Sequence, residues 1–387
     1  MNKKKVCVIT GSRADYGLLR NILKCCLSRS EITLQVIATG MHLSRSHGYT
    51  CTEIEDDGFK INKKIEVVSN SDLPSAISKS IGSGVALFAD AFNELDPDII
   101  VILGDRYEIF SAAITAMAMN LPIAHIHGGE LTEGLIDDVI RHSITKMSDL
   151  HFVSTEDYKN RVIQLGEEPK NVFNVGALAL DSMADTTILS KKELLKDLGL
   201  LVNNDLFLVT YHPVTLDLSN SKANIDELLR ALDGFSDVNI LFTGVNSDAS
   251  NSYINKKITE YVESDPKRLK YIINLGQSKY FSAMKHSEVI IGNSSSGIIE
   301  APSFKVPTVN IGIRQNGRIK ANSIINCTEN KTAIVEAINS AISKDMKETC
   351  SNVISPYAGP GVSEKIVDTI VNKNLENIKI KRFYDLK

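Results

Sequence analysis

Short apolar runs alternate with amphipathic stretches along the whole chain. The run at residues 6–10 is apolar and β-branched, a Gly-Ser turn follows it, and Tyr16, Leu19, Ile22 and Leu23 then repeat at helical spacing. The same pairing of a predicted strand with a predicted helix recurs through the first half, with strands at residues 33–39, 99–103, 121–126, 151–154 and 172–175. Because strands that alternate with helices form βαβ units, the pattern predicts a parallel sheet with helices on both faces.

A second series of the same kind begins near Asp205, with strands predicted at 206–210, 239–243, 270–275, 288–291 and 308–311. We therefore predict an α/β protein with two doubly wound, Rossmann-like domains that face each other across a ligand-binding cleft. The predicted organisation is a first domain at 1–178, a connection at 179–204, a second domain at 205–362 and a C-terminal helix at 363–387. We expect that helix to pack back on the first domain.

Composition and charge narrow the class of protein. Of the 387 residues, 43% are apolar and 23% are charged, as in an ordinary globular protein. The formal net charge of −4 provides no field that attracts nucleic acid or an anionic membrane. No apolar run approaches the roughly 20 residues that span a bilayer, and the N-terminus lacks the features of a signal peptide. We predict no nucleic-acid or membrane partner.

The six cysteines have no regular spacing and form no CxxC pair. Reduced thiols in a cytoplasmic protein account for all of them, so neither a disulfide framework nor a zinc site is predicted. The predicted location is the cytoplasm.

Charged side chains follow two neighbouring strands of the first half, at the point where each strand ends. Asp105 and Arg106 come directly after the buried run at 99–103, and His127 and Glu130 follow the next strand. Since the carboxyl ends of parallel strands meet at one edge of the sheet, these side chains are expected to lie close together. Asp137, in the acidic first turn of a predicted helix, is placed to join them as a third carboxylate.

The turn after the first strand carries Arg13, which can reach a phosphate or a ring from its loop. This Gly-Ser-Arg turn matches neither the GxGxxG fingerprint nor the P-loop, so the sequence does not favour a dinucleotide or ATP. No cofactor is predicted.

The second half carries the features of a diphosphate site. Backbone N–H groups and hydroxyls in the turn GNSSSG at 292–297 are suited to hold a pyrophosphate, with Gly292 allowing close approach and Ser294 and Ser295 donating. A helix is predicted to follow this turn and to run through Ile298, Ile299 and Glu300. Glu300 is placed to bind ribose hydroxyls, and Arg314 adds a positive charge after the next strand. The predicted binding set is completed by two residues that follow strands of the second half, His212 and Asn246.

Together these motifs resemble the UDP-N-acetylglucosamine 2-epimerases, and most of all their hydrolysing branch in sialic acid pathways. The resemblance spans residues 5 to 370 and rests on GSRADYG at 11–17, GDRYE at 104–108, HIHGGE at 125–130, IDDVIRHSITK at 136–146, and GNSSSG at 292–297 with Arg314 and Gln315. It implies a fold like that of the two-domain GT-B glycosyltransferases and a homodimer or homotetramer.

The resemblance also implies roles for individual residues. Asp105, Glu130 and Asp137 match the acidic positions, and His212 matches the histidine near the diphosphate. Contacts to the nucleotide are matched by Arg13, Ser294, Ser295, Glu300 and Arg314, and the resemblance places Arg106 near the sugar or the diphosphate. Many relatives have a glutamate where this chain has His127, so either His127 or Glu130 takes over that role.

The implied reaction is the cleavage of UDP-GlcNAc to UDP and free ManNAc with inversion at C2. The C2 proton has no neighbouring carbonyl, so the C1–O bond must break before or during proton removal. Asp105 is the expected base, the resulting 2-acetamidoglucal is then hydrated, and Glu130 or Asp137 is expected to protonate C2. Ser294, Ser295, His212 and Arg314 are expected to stabilise the departing UDP without a metal.

Several alternatives remain. The same chemistry on UDP-2,4-diacetamido-2,4,6-trideoxyglucose would supply legionaminic acid synthesis instead. A non-hydrolysing epimerase would return UDP to the glycal, and a glycosyltransferase of this fold would release UDP only when an acceptor is added. A binding module without turnover is the non-enzymatic alternative.

Overall fold

The computed structural model describes residues 3–45, 48–67, 74–132, 136–184, 186–212, 218–244 and 252–386. Contacts between residues divide the chain into two compact units. The first contains Met1–Leu131, Leu135–Ser182 and Gly359–Lys387, and the second contains Met183–Ala358.

The first unit contains a seven-stranded parallel sheet with the order β3-β2-β1-β4-β5-β6-β7. Its strands are β1 Lys4–Thr10, β2 Ile32–Thr39, β3 Lys63–Ile65, β4 Ile99–Leu103, β5 Ile123–Ile126, β6 Leu150–Val153 and β7 Val172–Asn174. The helices that follow them are α1 Arg13–Ser28, α2 Cys51–Asp56, α3 Pro74–Leu95, α4 Tyr107–Ala118, α5 Ile136–Met147, α6 Glu156–Gln164 and α7 Leu178–Ala184, with 3-10 turns at Gly40–Leu43 and Pro169–Asn171. The strand order reverses between β1 and β4, and loops at such a point are where open α/β sheets bind ligands.

Alternate residues of β1 show why the sheet is covered on both faces. Val6 and Val8 pack into one core cluster with α1, while Cys7 and Ile9 pack into another with α3 and α4. All four side chains are fully buried. A strand with two buried faces must be apolar at every position, which explains the continuous apolar runs in the sequence.

The second unit contains a six-stranded parallel sheet with the order β10-β9-β8-β11-β12-β13. Its strands are β8 Asp205–Thr210, β9 Val238–Thr243, β10 Leu269–Ile272, β11 Val289–Gly292, β12 Thr308–Ile311 and β13 Ile324–Cys327. Its helices are α8 Lys191–Asp197, α9 Leu218–Leu232, α10 Ser252–Glu263, α11 Gly276–His286, α12 Ser296–Ile299, α13 Lys331–Ala341 and α14 Lys344–Asn352, with a 3-10 turn at Ala301–Phe304. Here the order reverses between β8 and β11.

The last helix, α15 (Val362–Asn372), belongs to the first unit. Val362, Ile366, Val367 and Ile370 are buried in the same core cluster as the apolar face of α1. Asp181 accepts hydrogen bonds from the backbone N–H groups of Val362 (2.8 Å) and Ser363 (2.6 Å), at the start of the helix. A carboxylate at this position satisfies donors that have no partner within the helix.

The predicted fold class, two doubly wound parallel α/β domains, is confirmed by the two sheets. The prediction that they face one cleft stays a prediction. The sequence pattern missed β3 and β13, which are short, lie at the outer edges of the sheets and contain polar residues. The helix predicted to run through Ile298, Ile299 and Glu300 is shorter than expected, because α12 ends at Ile299 and a 3-10 turn follows.

No helix among the described residues is long and apolar enough to cross a membrane. All six cysteines are free thiols, and four of them are buried.

Candidate active site

The first cluster of predicted site residues lies at the carboxyl ends of β4 and β5. β4 ends at Leu103, and Asp105 and Arg106 stand between it and the start of α4. The buried His125 of β5 braces this loop, since its Nε2 lies 2.8 Å from the carbonyl oxygen of Gly104. A carbonyl only accepts, so Nε2 carries the proton, and Nδ1 then accepts from the Thr145 hydroxyl at 3.2 Å. Burial lowers the pKa of His125 to about 3, which keeps this brace neutral.

Arg141 ties three parts of the cluster together. Its guanidinium contacts the carboxylate of Asp105 and donates to the backbone carbonyl of Glu130 (2.9 Å) and to Asp138 Oδ1 (3.3 Å). The Arg141 side chain is only 5% exposed. A buried guanidinium must have partners for its charge and its donors, so these contacts fix where the carboxylate of Asp105 lies.

His127 and Glu130 form a pair in the loop after β5. His127 Nδ1 lies 3.2 Å from Glu130 Oε1, and the Ser154 hydroxyl donates to the same oxygen at 3.2 Å. The backbone N–H of Leu178 donates to His127 Nε2 at 3.4 Å, so Nδ1 carries the proton and donates to the carboxylate. His127 also has φ of 65°, in the left-handed region that few non-glycine residues occupy. Glu130 is nearly inaccessible, whereas part of the His127 ring is exposed.

Asp137 stands in the first turn of α5, half-buried and electrostatically coupled to the same cluster. Burial raises its pKa, the negative charge of Asp105 raises it further, and Arg106 and Arg141 oppose the shift. A carboxyl group with a raised pKa holds its proton at higher pH and can act as a general acid.

Arg106 contacts a carboxylate that the sequence prediction did not include. Its Nε donates to Glu108 Oε1 at 2.5 Å, and Glu108 is completely buried. Asp15, in the first turn of α1, interacts electrostatically with both residues. Burial raises the pKa of Asp15 to about 6, helped by Glu108 and Asp105 and opposed by Arg106.

Arg13 lies apart from these contacts. Its exposed Nε pairs with Glu53 of α2 at 2.9 Å, and within the described residues it makes no hydrogen bond or ion pair to the carboxylates of the cluster.

The second cluster is built around Asn293, at the carboxyl ends of β8 and β11. Asn293 Oδ1 accepts from the backbone N–H of His212 (2.6 Å), and its Nδ2 donates to the backbone carbonyl of His212 (2.8 Å). Its own carbonyl accepts from Arg314 Nη1 (3.0 Å) and from Gln315 Nε2 (2.9 Å). The fully buried side chain of Asn293 therefore fixes the backbone of His212 relative to the serine-rich turn, and the backbone carbonyl of Asn293 holds Arg314 beside it.

Gly292 allows the turn to begin close to the neighbouring strand. Its φ is 135°, and a Cβ there would lie 2.0 Å from the carbonyl oxygen of Thr210. The hydroxyls beyond it form a chain, with Ser294 Oγ 2.9 Å from Ser296 Oγ and Tyr280 Oη 2.5 Å from Ser296 Oγ. In the described part of the chain, the backbone N–H groups of Ser294 and Ser295 donate no hydrogen bond.

The short α12 changes the basis of the predicted diphosphate cradle. Its four residues provide little helix dipole, so the N–H groups and hydroxyls of Ser294 and Ser295 carry the anion-binding capacity. Glu300 directly follows α12 as its C-cap residue. Burial lowers the pKa of His212 to about 3, with a further contribution from Arg314, so His212 can donate a hydrogen bond but no positive charge. Asn246 lies outside the described residues.

Three residues of the two clusters stood inside the quoted motifs but were not predicted as site residues, namely Glu108, Arg141 and Asn293. Glu108 and Arg141 are charged residues within helices, and only their burial in the fold distinguishes them from surface charges. The described residues contain no group of three or more His, Cys, Asp or Glu side chains arranged to hold a metal ion.

The chain is similar in sequence and in structure to known UDP-sugar 2-epimerases. A family model described as UDP-N-acetylglucosamine 2-epimerase matches residues 24–371. A GDP/UDP-N,N'-diacetylbacillosamine 2-epimerase (hydrolyzing) from Campylobacter jejuni is 43% identical over 387 residues, which is all of both chains. The polysialic acid biosynthesis protein P7 of Escherichia coli is 40% identical, over 99% of this chain and 98% of its own. The crystal structure of UDP-GlcNAc 2-epimerase from Neisseria meningitidis bound to UDP-GlcNAc has a TM-score of 0.79 at 19% identity, covering 95% of this chain and 100% of that chain.

Proposed function

The chain belongs to the UDP-N-acetylglucosamine 2-epimerase family, and we propose that it is a hydrolysing enzyme, which converts a UDP-linked 2-acetamido sugar and water into UDP and the free C2 epimer. The observation that carries the proposal is the cluster in the first unit. There a hydrogen-bonded histidine–glutamate pair, an arginine-bound carboxylate and a carboxyl group with a raised pKa lie at the end of two adjacent strands. Acid and base groups with separated protonation states are what a reaction with two proton transfers requires.

The first step is the elimination of UDP. The C1–O bond breaks, its electron pair leaves with UDP, and Asp105 removes the C2 proton to give a 2-acetamidoglucal. The contact with Arg141 holds the Asp105 carboxylate in one position, and an oriented base is more effective than a mobile one.

The second step is the hydration of the glycal. Asp137 delivers a proton to C2 from the face opposite to that from which the first proton left, water adds its oxygen to C1, and His127 takes up the proton that this water loses. The raised pKa of Asp137 supports this assignment over Glu130, whose carboxylate already accepts from His127 and Ser154. His127, whose ring is the more exposed member of its pair, takes the place of the family glutamate, and Glu130 orients it.

The leaving UDP is assigned to the second cluster. The free N–H groups and the hydroxyls of Ser294 and Ser295 bind the diphosphate, together with Arg314 and a neutral His212. Glu300, Arg13, Arg106, Gly292 and Asn246 remain predicted contacts of the nucleotide or sugar. The cytoplasmic location and the homodimeric or homotetrameric state likewise stay predictions.

The proposed sugar is 2,4-diacetamido-2,4,6-trideoxyglucose, the diacetylbacillosamine of the relative that is 43% identical along the whole chain. UDP-GlcNAc, predicted from the sequence, is the second candidate. The 40% identity to a polysialic acid biosynthesis protein supports it, because a sialic acid pathway is also what the resemblance of the sequence motifs implies.

The test is to incubate the protein with each UDP-sugar in turn, without an acceptor, and to identify the products by phosphorus and proton NMR. We expect free UDP and the free 2-epimer, formed fastest from the diacetamido sugar. Formation of UDP-sugars alone at equilibrium would identify a non-hydrolysing epimerase. UDP release only after an acceptor is added would identify a glycosyltransferase.

A further inference from the structure

Glu108 is a buried carboxylate that the proposed reaction does not use directly. It lies in the first turn of α4, and none of its surface is exposed. Oε1 accepts from Arg106 Nε at 2.5 Å, whereas the buried Oε2 has no hydrogen-bond partner among the described residues. A buried carboxylate with one oxygen unpaired carries a large desolvation cost, so retaining it requires a reason.

Two glycines close around this carboxylate. A Cβ built on Gly11 would lie 2.7 Å from Glu108 Oε1, and a Cβ built on Gly40 would lie 2.8 Å from the same atom. These residues follow β1 and β2, so the ends of two strands form the wall that holds Glu108 in place. A side chain at either position would displace the carboxylate.

The guanidinium of Arg106 is held by a hydrogen bond through its Nε nitrogen. Nε is bound to Glu108, while in the described part of the chain Nη1 and Nη2 donate no hydrogen bond. The side chain is 29% exposed, so these two donors remain available at the carboxyl edge of the sheet. Asp15 adds a second negative charge close by. The arrangement leaves a guanidinium with a fixed direction and two free donors, which suits a phosphate or sugar oxygen.

We propose that Glu108 is a positioning residue, which acts on the UDP-sugar through Arg106 and fixes the direction of its two terminal nitrogens. This inference rests on the proposed function, because Arg106 is a predicted contact of the substrate. Losing the fixed direction weakens substrate binding in the ground state and the transition state alike. The consequence is therefore a higher KM with little change in kcat.

The test is a double-mutant cycle of Glu108→Gln and Arg106→Met, with KM and kcat measured for the UDP-sugar that the wild type turns over. Each single variant is expected to raise KM at least about tenfold and to change kcat less than about threefold. In the double variant, Glu108→Gln is expected to add less than about threefold to the KM of Arg106→Met, because it acts through the arginine that is already missing. If Glu108 had a purely structural role, Glu108→Gln would raise KM by the same factor in the wild type and in Arg106→Met, and that result would overturn the inference. An unchanged KM in the single variant Glu108→Gln would overturn it as well.

Two further variants keep the test decisive if Glu108→Gln folds poorly. Gly11→Ala leaves the carboxylate in the chain but crowds Oε1, and it is expected to raise KM in the same direction. Glu167→Gln is the matched control. Glu167 is also buried and pairs with Lys146 (2.7 Å), Lys381 (2.7 Å) and His151 (2.9 Å), and it lies outside both clusters. The Glu167→Gln variant is expected to have a lower melting temperature than the wild type and an unchanged KM.

UDP release by the wild-type protein distinguishes a failure of this inference from a failure of the proposed function. If the wild type releases no UDP from either sugar, the proposed function fails, and the cycle is then scored by the affinity of each variant for UDP measured by calorimetry. Additive losses of affinity in that cycle would reject the inference, and non-additive losses would support it.

Discussion

His127 donates a hydrogen bond from Nδ1 to Glu130 Oε1, over 3.2 Å, while its Nε2 accepts from the backbone N–H of Leu178. The two contacts fix both the tautomer and the orientation of the ring. A carboxylate in this position stabilises the imidazolium that forms when the histidine takes up a proton during a reaction.

Glu130→Gln is therefore expected to lower kcat by at least about 100-fold, because the amide keeps the shape of the side chain but removes its charge. Ser154→Ala is the matched control, since it removes a second donor to Oε1 and leaves His127 untouched. Steady-state kinetics of both variants check this. Equal effects of the two substitutions would show that Oε1 has only a packing role.

Asp105→Asn and Asp137→Asn are expected to stop the reaction at different steps. Without the base, Asp105→Asn releases no UDP. Without the acid, Asp137→Asn still releases UDP but accumulates the 2-acetamidoglucal, because hydration lacks its proton donor. General acid–base groups contribute about 10²- to 10⁴-fold each, so both changes are large. Proton NMR of the reaction mixture distinguishes the glycal from the free sugar, and glycal accumulation in Asp105→Asn instead would reverse the two assignments.

Asn293→Ala is expected to destabilise the second unit and weaken the binding of UDP. The substitution leaves the backbone N–H and C=O of His212 without their partner, at about 1–3 kcal/mol for each buried group. A fall in melting temperature of at least about 5 °C follows. The control is Asn274→Ala, which removes an exposed hydrogen bond from the Gly276 N–H to the Asn274 side chain (3.0 Å). This variant is expected to change the melting temperature by less than about 2 °C. Differential scanning calorimetry with and without UDP measures both effects, and equal shifts would contradict the bracing role of Asn293.

His125 makes the stability of the first unit depend on pH. Its pKa is lowered to about 3 in the folded chain by burial, below the usual value of 6.5. Below pH 6.5 the unfolded chain binds a proton that the folded chain does not, so the free energy of unfolding falls as the pH decreases towards 3. In His125→Gln that loss should be smaller, by up to about 1.4 kcal/mol per pH unit. Urea unfolding between pH 7.5 and 5 measures the two slopes, and parallel slopes would mean that His125 titrates alike in both states.

The strands that carry the site were predictable because their physics is local. A central parallel strand is buried on both faces, so β1, β4 and β8 appear as continuous apolar runs, and polar residues directly after them must lie at the edge of the sheet. β3 contains Lys63 and Lys64 and lies at an outer edge of the sheet, where a strand is not buried on both faces and can contain polar residues. The sequence of β3 therefore contains no continuous apolar run by which the strand could have been predicted.

The residues that hold the site together were not predictable in the same way. Arg141 and Glu108 have the helical spacing of surface charges. Arg141 is buried where it meets Asp105, 36 positions earlier in the chain, and Glu108 is buried against Gly11 and Gly40, which follow β1 and β2. The pairing of Asn293 with His212 joins residues 81 positions apart, which no local pattern encodes. The helix predicted through Glu300 ends one residue earlier, at Ile299, and Pro302, which has no backbone N–H to continue an α-helix, lies in the 3-10 turn that follows.

The most direct test of the proposed reaction is where solvent isotopes appear in its products. The reaction is run in D2O enriched in H2¹⁸O, and the UDP and sugar are examined by mass spectrometry and NMR. Elimination followed by hydration predicts one deuterium at C2 of the inverted sugar and UDP without ¹⁸O, since the C1–O bond is the one that breaks. UDP that carries ¹⁸O, or a free sugar that lacks deuterium at C2, would contradict the account.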